Sequence, residues 1–442
     1  MNRILLIAAG LSLLGASPAP PKPDPAQLRA TITALVGFGT RHTLSAQDDP
    51  KRGIGAAKRW AAARFAEIGK DCGGCLAVEI IGDRFTGPRA PDGVRVEDVL
   101  AIQRGTSDPD RVIIVQGHID SRASDSMDAV SEAPGANDDA SGVAVVMEAA
   151  RLLSRERFPA TIVYAALSGE EQGLWGGKLL AATAKARGWR VAAVLNNDIV
   201  GNTHGIGGQH NDKQVRVFSE GIGAAADLAA LLRQRANGGE DDGPSRALAK
   251  AIAGIAGRDK AIGLDVLAIR RADRFQRGGD HTAFLEAGIP AAVRITEATE
   301  HYDRQHQNVR TEAGRPYGDT IEFVDFRYLA KVAALNVAAL RQLATAPAAP
   351  TGVTISGALS DDTKVTWDAV PGATGYRIRW RRADGPAWTD ARDVPASAAA
   401  LDLPHVNIDD HFFGVSALGA GKAESLVTFA GPVPRPPPGA TR

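Results

Sequence analysis

The chain is short of cysteine, of net charge and of long apolar runs, and each shortage excludes something. Only Cys72 and Cys75 occur among 442 residues, together in CGGC. Sulfur-bound zinc would need two more such ligands nearby, and a redox CxxC would need a helix opening at the motif, which the paired glycines oppose. The pair reads as a small structural disulfide loop. Fifty-one basic residues balance 51 acidic ones. Nothing electrostatic therefore points to nucleic acid or to an anionic membrane. The apolar stretch at 4–14 is too short for a bilayer span, which needs roughly 20 residues. No internal repeat is present.

The same stretch has a purpose of its own. It follows a short positive start, Met1-Asn2-Arg3, and precedes the small residues Gly15-Ala16-Ser17-Pro18-Ala19. That order is a secretory signal, residues 1–19, and predicts an exported protein, periplasmic or extracellular. No cysteine follows it to carry a lipid.

The remaining length is too great for one ordinary domain. Residues 20–345 read as an α/β domain with a mixed, largely parallel sheet and helices on both faces. A Pro-rich tether at 20–26 leads into helices at 25–36 and 55–68. Continuous apolar runs at 112–116 (VIIVQ), 161–167 (TIVYAAL), 191–195 (VAAVL) and 291–296 (AAVRIT) read as strands buried on both faces. Helices are expected at 142–154, 224–233 and 326–343. The last carries Leu329, Val332, Ala333, Val337, Leu340 and Leu343 at helical spacing. A Pro/Ala linker (346–351) then leads to short alternating strands at 364–368, 375–380 and 411–417. Residues 352–432 thus read as an all-β sandwich. Its Trp367, Tyr376 and FFGVSALGAGKAES segment resemble a fibronectin type III domain, usually a spacer or a weak contact to a surface or polymer. A Pro-rich tail (433–442) ends the chain.

The chemistry sits where the strands of the first domain end. His118 and Asp120 lie in GHIDS, Asp138 and Asp139 in PGANDDASG, Glu170 and Glu171 in SGEEQGLWGG, Asp198 in NNDIVG and His306 in DRQHQN. Ligands of open α/β sheets bind outside the carboxyl ends of the strands. Imidazoles and carboxylates gathered there are what zinc binds, and two-metal sites serve hydrolysis. Singly, each residue reads as a cap or a loop hydrogen bond; five such sites at successive strand ends do not. Adjacent glutamates would repel each other and raise each other's pKa. A metal on one leaves the other free as a general base.

This combination resembles the M28 family of zinc peptidases, of the secreted bacterial aminopeptidase type, over about residues 90–345. The resemblance implies two zinc ions bridged by Asp138, one also held by Glu171 and His306, the other by His118 and Asp198. Asp120 would orient His118, Asp139 would stand behind the ligands, and Glu170 would be the base. It also implies a cis peptide bond between Asp138 and Asp139. His306 fits the late histidine position better than His301, although a longer stretch than in relatives separates it from YGDT. The GGDHTAF segment resembles one near the family's substrate pocket, so His281 is a candidate to touch substrate, and Trp175 and Phe284 are candidates for the pocket wall. His204 and His210 read as surface residues. The implied activity is release of the N-terminal residue from peptides with a free N-terminus. Alternatives are a one-zinc glutaminyl cyclase, a carboxypeptidase using Arg271, Arg274 and Arg277, and a non-catalytic binding protein, which the intact Glu170 opposes.

Overall fold

The computed structural model describes residues 22–433. The expected signal segment and the tail from 434 lie outside the described residues.

Eight strands form one sheet: β1 (Ala77–Gly87), β2 (Ala90–Gln103), β3 (Asp108–His118), β4 (Ala160–Leu167), β5 (Arg190–Asn197), β6 (Gln214–Phe218), β7 (Asp265–Ile269) and β8 (Ala292–Glu297). Their spatial order is β1-β2-β4-β3-β5-β8-β6-β7. The central strands β4, β3, β5 and β8 are mutually parallel. Pairs β1/β2, β2/β4 and β6/β8 are antiparallel. The sheet is therefore mixed, with the parallel part at its middle, where the apolar runs predict it. The β1–β2 hairpin, β6 and β7 were not among the expected strands. β1 is an edge strand carrying Glu79, Asp83 and Arg84, and no continuous apolar run marks it.

Alternation along the central strands serves two cores. Ile113, Val115, Ile162 and Tyr164 face one side, with α1 (Pro25–Gly37), α2 (Gly53–Asp71) and α3 (Ala140–Leu153). Val112, Ile114, Val163 and Ala165 face the other. Between β4 and β5 come α4 (Glu170–Gly173) and α5 (Trp175–Ala186); later come α6 (Leu228–Asn237), α7 (Pro244–Arg258), α8 (Asp280–Glu286) and α9 (Phe326–Thr345). α7 and α9 join the first core, α5 and α8 the second. The expected stripe on α9 is buried throughout. Each fully buried Leu or Val contributes roughly 1.5–3 kcal/mol, so packing holds the helix. Asp325, which accepts the Arg327 and Tyr328 N–H groups, sets where it starts. α6 lies about one turn later than expected, because Asp227 caps it through the Ala230 N–H, and none of its residues is buried. Cys72 and Cys75 are disulfide-bonded just beyond α2.

A short hairpin, β9 (Arg310–Glu312) and β10 (Arg315–Tyr317), precedes α9. Beyond α9, β11 (Thr354–Ser356), β12 (Thr363–Thr366), β13 (Gly375–Arg382), β14 (Asp390–Pro395), β15 (Ala400–Leu403), β16 (His411–Leu418), β17 (Thr428–Phe429) and β18 (Gly431–Pro432) follow. They make two four-stranded sheets, β15-β12-β11-β18 and β14-β13-β16-β17. Trp367 and Tyr376 pack in their shared core, with ring centroids 5.4 Å apart. The segment expected to be a free linker is tied down. Arg111 donates to the carbonyls of Leu343 and Ala346 at 3.0 and 2.6 Å. The sandwich is anchored as well: buried Arg381 reaches Asp242 at 2.5 Å, and Lys250 holds the other oxygen. No helix among the described residues is long and apolar enough to cross a membrane.

Candidate metal centre

Most ligand candidates are delivered by strand ends, and Asp138 by the turn that opens α3. His118 is the last residue of β3, and Asp198 follows β5 directly. After β4 the chain turns through Gly169, at φ +76, and opens α4 with Glu170 and Glu171. A Cβ at Gly169 would be strained by that angle and would press on Val96 at 3.0 Å. The loop beyond β8 brings in His306.

Asp138 lies at the middle of the cluster. One of its oxygens is 3.1 Å from His118 Nε2, and the other is 3.0 Å from His306 Nε2. Glu171 Oε1 lies 3.1 Å from His306 Nε2. His118 Nε2 is 4.0 Å from Asp198. His118, Asp138 and Glu171 offer donor atoms within 4.8 Å of one another, as do His118, Glu170 and Asp198. The structure therefore brings all six residues together, and it places His306, not His301, among them. The peptide bond between Asp138 and Asp139 is cis.

The supports are specific. Asp139 accepts the N–H groups of His118 at 3.0 Å, Gly142 at 2.9 Å and Ile199 at 3.2 Å. One carboxylate thus ties together the ends of β3 and β5 and the start of α3. Asp120 meets His118 Nδ1 through its carbonyl at 3.1 Å, with its carboxylate at 3.5 Å. That carboxylate also accepts Thr43 Oγ1 and the N–H groups of Glu170 and Glu171. Sequence reasoning missed two supports. Arg294 on β8 is fully buried and donates to Asp198 at 2.6 Å. Its signal was a lone charge inside the apolar run AAVRIT. Asp319, in YGDT, accepts the N–H groups of Asn137 and Asp138.

The electrostatics call for cations. Burial alone would lower the His118 pKa, but Glu170, Asp120 and Asp138 together raise it well above its ordinary value. Burial opposes Glu171 and Asp138 at His306 in the same way, and the carboxylates win, at about 10. Burial pushes Glu170 up, and the neighbouring Glu171 and Asp198 add to it. Without cations, the nest of carboxylates thus favours the protonated form of both imidazoles. Glu171 Oε1 is buried without a hydrogen bond. This nitrogen and oxygen donor set, with an orphaned carboxylate oxygen, fits divalent zinc.

The ligands floor a cleft of about 460 Å³. Three pocket expectations need correction. Phe284 is fully buried in the second core with Leu180 and Ala292, because the inward face of α8 carries it. His281, also fully buried, bonds the Ala272 carbonyl at 2.9 Å. Trp175 stacks on Phe85, with centroids 5.5 Å apart, and packs with Val94, Val96 and Leu179. The cleft walls are instead formed by Pro88, Leu174, Gln172 and several arginines. His204 and His210 are exposed, as expected.

Comparisons with known proteins place the chain in a family. The sequence profile of peptidase family M28 matches residues 98–320. A probable zinc metalloprotease of Leptosphaeria maculans is 43% identical over 412 residues, 92% of this chain and 94% of that protein. One from Pyricularia oryzae is 42% identical, over 92% and 83%. Both relatives are fungal, and the likeness extends into the C-terminal sandwich. Among solved structures, the LapA aminopeptidase of Legionella pneumophila has a TM-score of 0.52 at 18% identity, covering 73% of this chain and 70% of that one. A glutaminyl cyclase of Fimbriiglobus ruber has 0.53 at 19%, over 74% and 99%. At such identities the solved structures speak for the fold.

Proposed function

The chain belongs to peptidase family M28 and is a zinc metallopeptidase; from that premise we propose that it is an exported two-zinc aminopeptidase. The observation that carries this reading is the Asp138 carboxylate, whose two oxygens face different histidines at 3.1 and 3.0 Å. A carboxylate so placed belongs to two half-sites. His118 and Asp198 would complete one, His306 and Glu171 the other. When bound, the zinc pair supplies Lewis acidity, polarising the scissile carbonyl and making water acidic.

The protein's own groups do the rest. Glu170, in the cleft wall beside the ligands, takes the proton of the attacking water and passes it to the departing amine. Asp120 fixes the ring of His118, and Arg294 fixes Asp198. The acidic floor favours the free ammonium of a peptide N-terminus. The signal-like residues 1–19 support export. The Trp367–Tyr376 core supports a fibronectin type III-like module, suited to contact with a surface or polymer.

The test is release of free amino acids from peptides with open or acetylated N-termini. The account expects release from open peptides only. Equal cleavage of both would contradict it. Ammonia release from N-terminal glutamine, without peptide cleavage, would instead mark a one-zinc cyclase.

A further inference from the structure

The floor of the cleft is acidic, but its walls are not. Arg89, Arg122, Arg274 and Arg277 all line it. Three of them are engaged. Arg89 donates to the Glu171 carbonyl at 2.5 Å. Arg122 donates to the carbonyls of Ala123 and Ser124. Arg277 holds Glu300 at 3.0 Å.

Arg274 is different. Its side chain is 9% exposed. Its side-chain hydrogen bond among the described residues runs from Nε, to the adjoining Asp273 at 3.3 Å. Nη2, the nitrogen left to reach the cleft, makes no hydrogen bond among the described residues, and Nη1 is buried without one. The nearest carboxylate to it, Glu300 at 3.7 Å, is already held by Arg216 at 2.6 Å and Arg277 at 3.0 Å. A buried donor left unpaired costs about 1–3 kcal/mol, and more when charged. Such a group needs a reason. Nor does the cleft floor supply one: Asp138, Glu171 and Asp198 would be taken by metal and Glu170 by proton transfer.

We propose that Arg274, with Arg277 beside it, is a specificity-determining residue that selects substrates carrying a carboxylate close to the scissile bond. The inference rests on the aminopeptidase reading and names its substrate class. A guanidinium presents a planar fork that matches a carboxylate. Two sources have that chemistry: the side chain of an N-terminal Asp or Glu, and the free C-terminus of a dipeptide. A neutral peptide leaves the guanidinium unpaired, and sites built to pair a polar group discriminate strongly against ligands lacking it.

The test uses the zinc-loaded full chain with Glu-Ala amide, Leu-Ala amide, Lys-Ala amide and Leu-Ala with a free C-terminus. We expect kcat/KM at least ~10-fold above that of Leu-Ala amide for one of the two carboxylate substrates. An advantage of Glu-Ala amide assigns the side chain, and one of free Leu-Ala assigns the C-terminus. In Arg274→Gln that ratio falls, and in Arg277→Gln it falls less. Because Arg274 is buried and its variant can misfold, calorimetric binding of the same peptides to the zinc-loaded Glu170→Gln chain gives an independent reading. There the favoured carboxylate peptide binds more tightly than Leu-Ala amide. Hydrolysis of all four peptides within about threefold of one another, or equal binding, overturns the proposal while leaving the aminopeptidase reading intact. If no peptide is hydrolysed, the aminopeptidase reading fails and the binding comparison alone decides on Arg274.

Discussion

Arg294 is a cation inside an otherwise apolar strand, and Asp198 is the reason for it. Both side chains are buried, 2.6 Å apart. Breaking a buried pair by removing one partner leaves the other uncompensated, at about 3–5 kcal/mol. Arg294→Met should therefore lose stability of that order in the metal-free chain, read by urea unfolding, and lose less once zinc neutralises Asp198. Glu170 behaves oppositely, because its carboxylate makes no hydrogen bond to another residue among the described ones. Glu170→Gln should keep its metal by elemental analysis while kcat falls by roughly 10²–10⁴. At this scale the ligand candidates were legible because few residue types bind zinc and because most of the candidates follow an apolar run. Arg294 and Asp319 were not, since a side chain that acts through another residue leaves no motif of its own. Phe284 was placed wrongly for a related reason. Membership of GGDHTAF says nothing about which face of α8 it occupies.

Among the elements, the start of α3 matters most to the site. Asp139 caps the helix, and the same carboxylate holds the ends of β3 and β5. Gly142, in the first turn, leaves room for this. A Cβ there would lie 2.2 Å from the Asn197 carbonyl and 2.4 Å from Asp139. Gly142→Ala should cost more than about 2 kcal/mol, by analogy with overpacked cores, and should weaken zinc retention. Gly257, in α7, has nothing within 4 Å of its Cβ position. Gly257→Ala should gain roughly 0.5–1 kcal/mol. Denaturant unfolding of the two variants checks both signs. Strong apolar periodicity made α3 and α9 legible. α6 has no buried residue to give it such a pattern, so only its Asp227 cap marks where it begins.

The whole molecule departs most from its sequence reading where the α/β part meets the C-terminal sheets. TAPAAPT reads as a linker, yet Arg111 clamps its Ala346 and the end of α9, and the Arg381–Asp242 pair is buried between the α/β part and the C-terminal sheets. Those contacts join residues more than a hundred positions apart, which no local pattern reports. A chain ending at residue 345 should therefore melt lower than the full chain, and Arg381→Met should split one calorimetric transition into two. Unchanged melting in both would show that the sandwich is an independent spacer. The role proposed for Asp138 is to serve two metals with one carboxylate. Zinc per chain after exhaustive dialysis, measured on the full chain and on Asp138→Asn, tests it most directly. Close to two zinc ions are expected in the first and loss of both in the second. One zinc in the full chain, or one retained firmly in the variant, would contradict it.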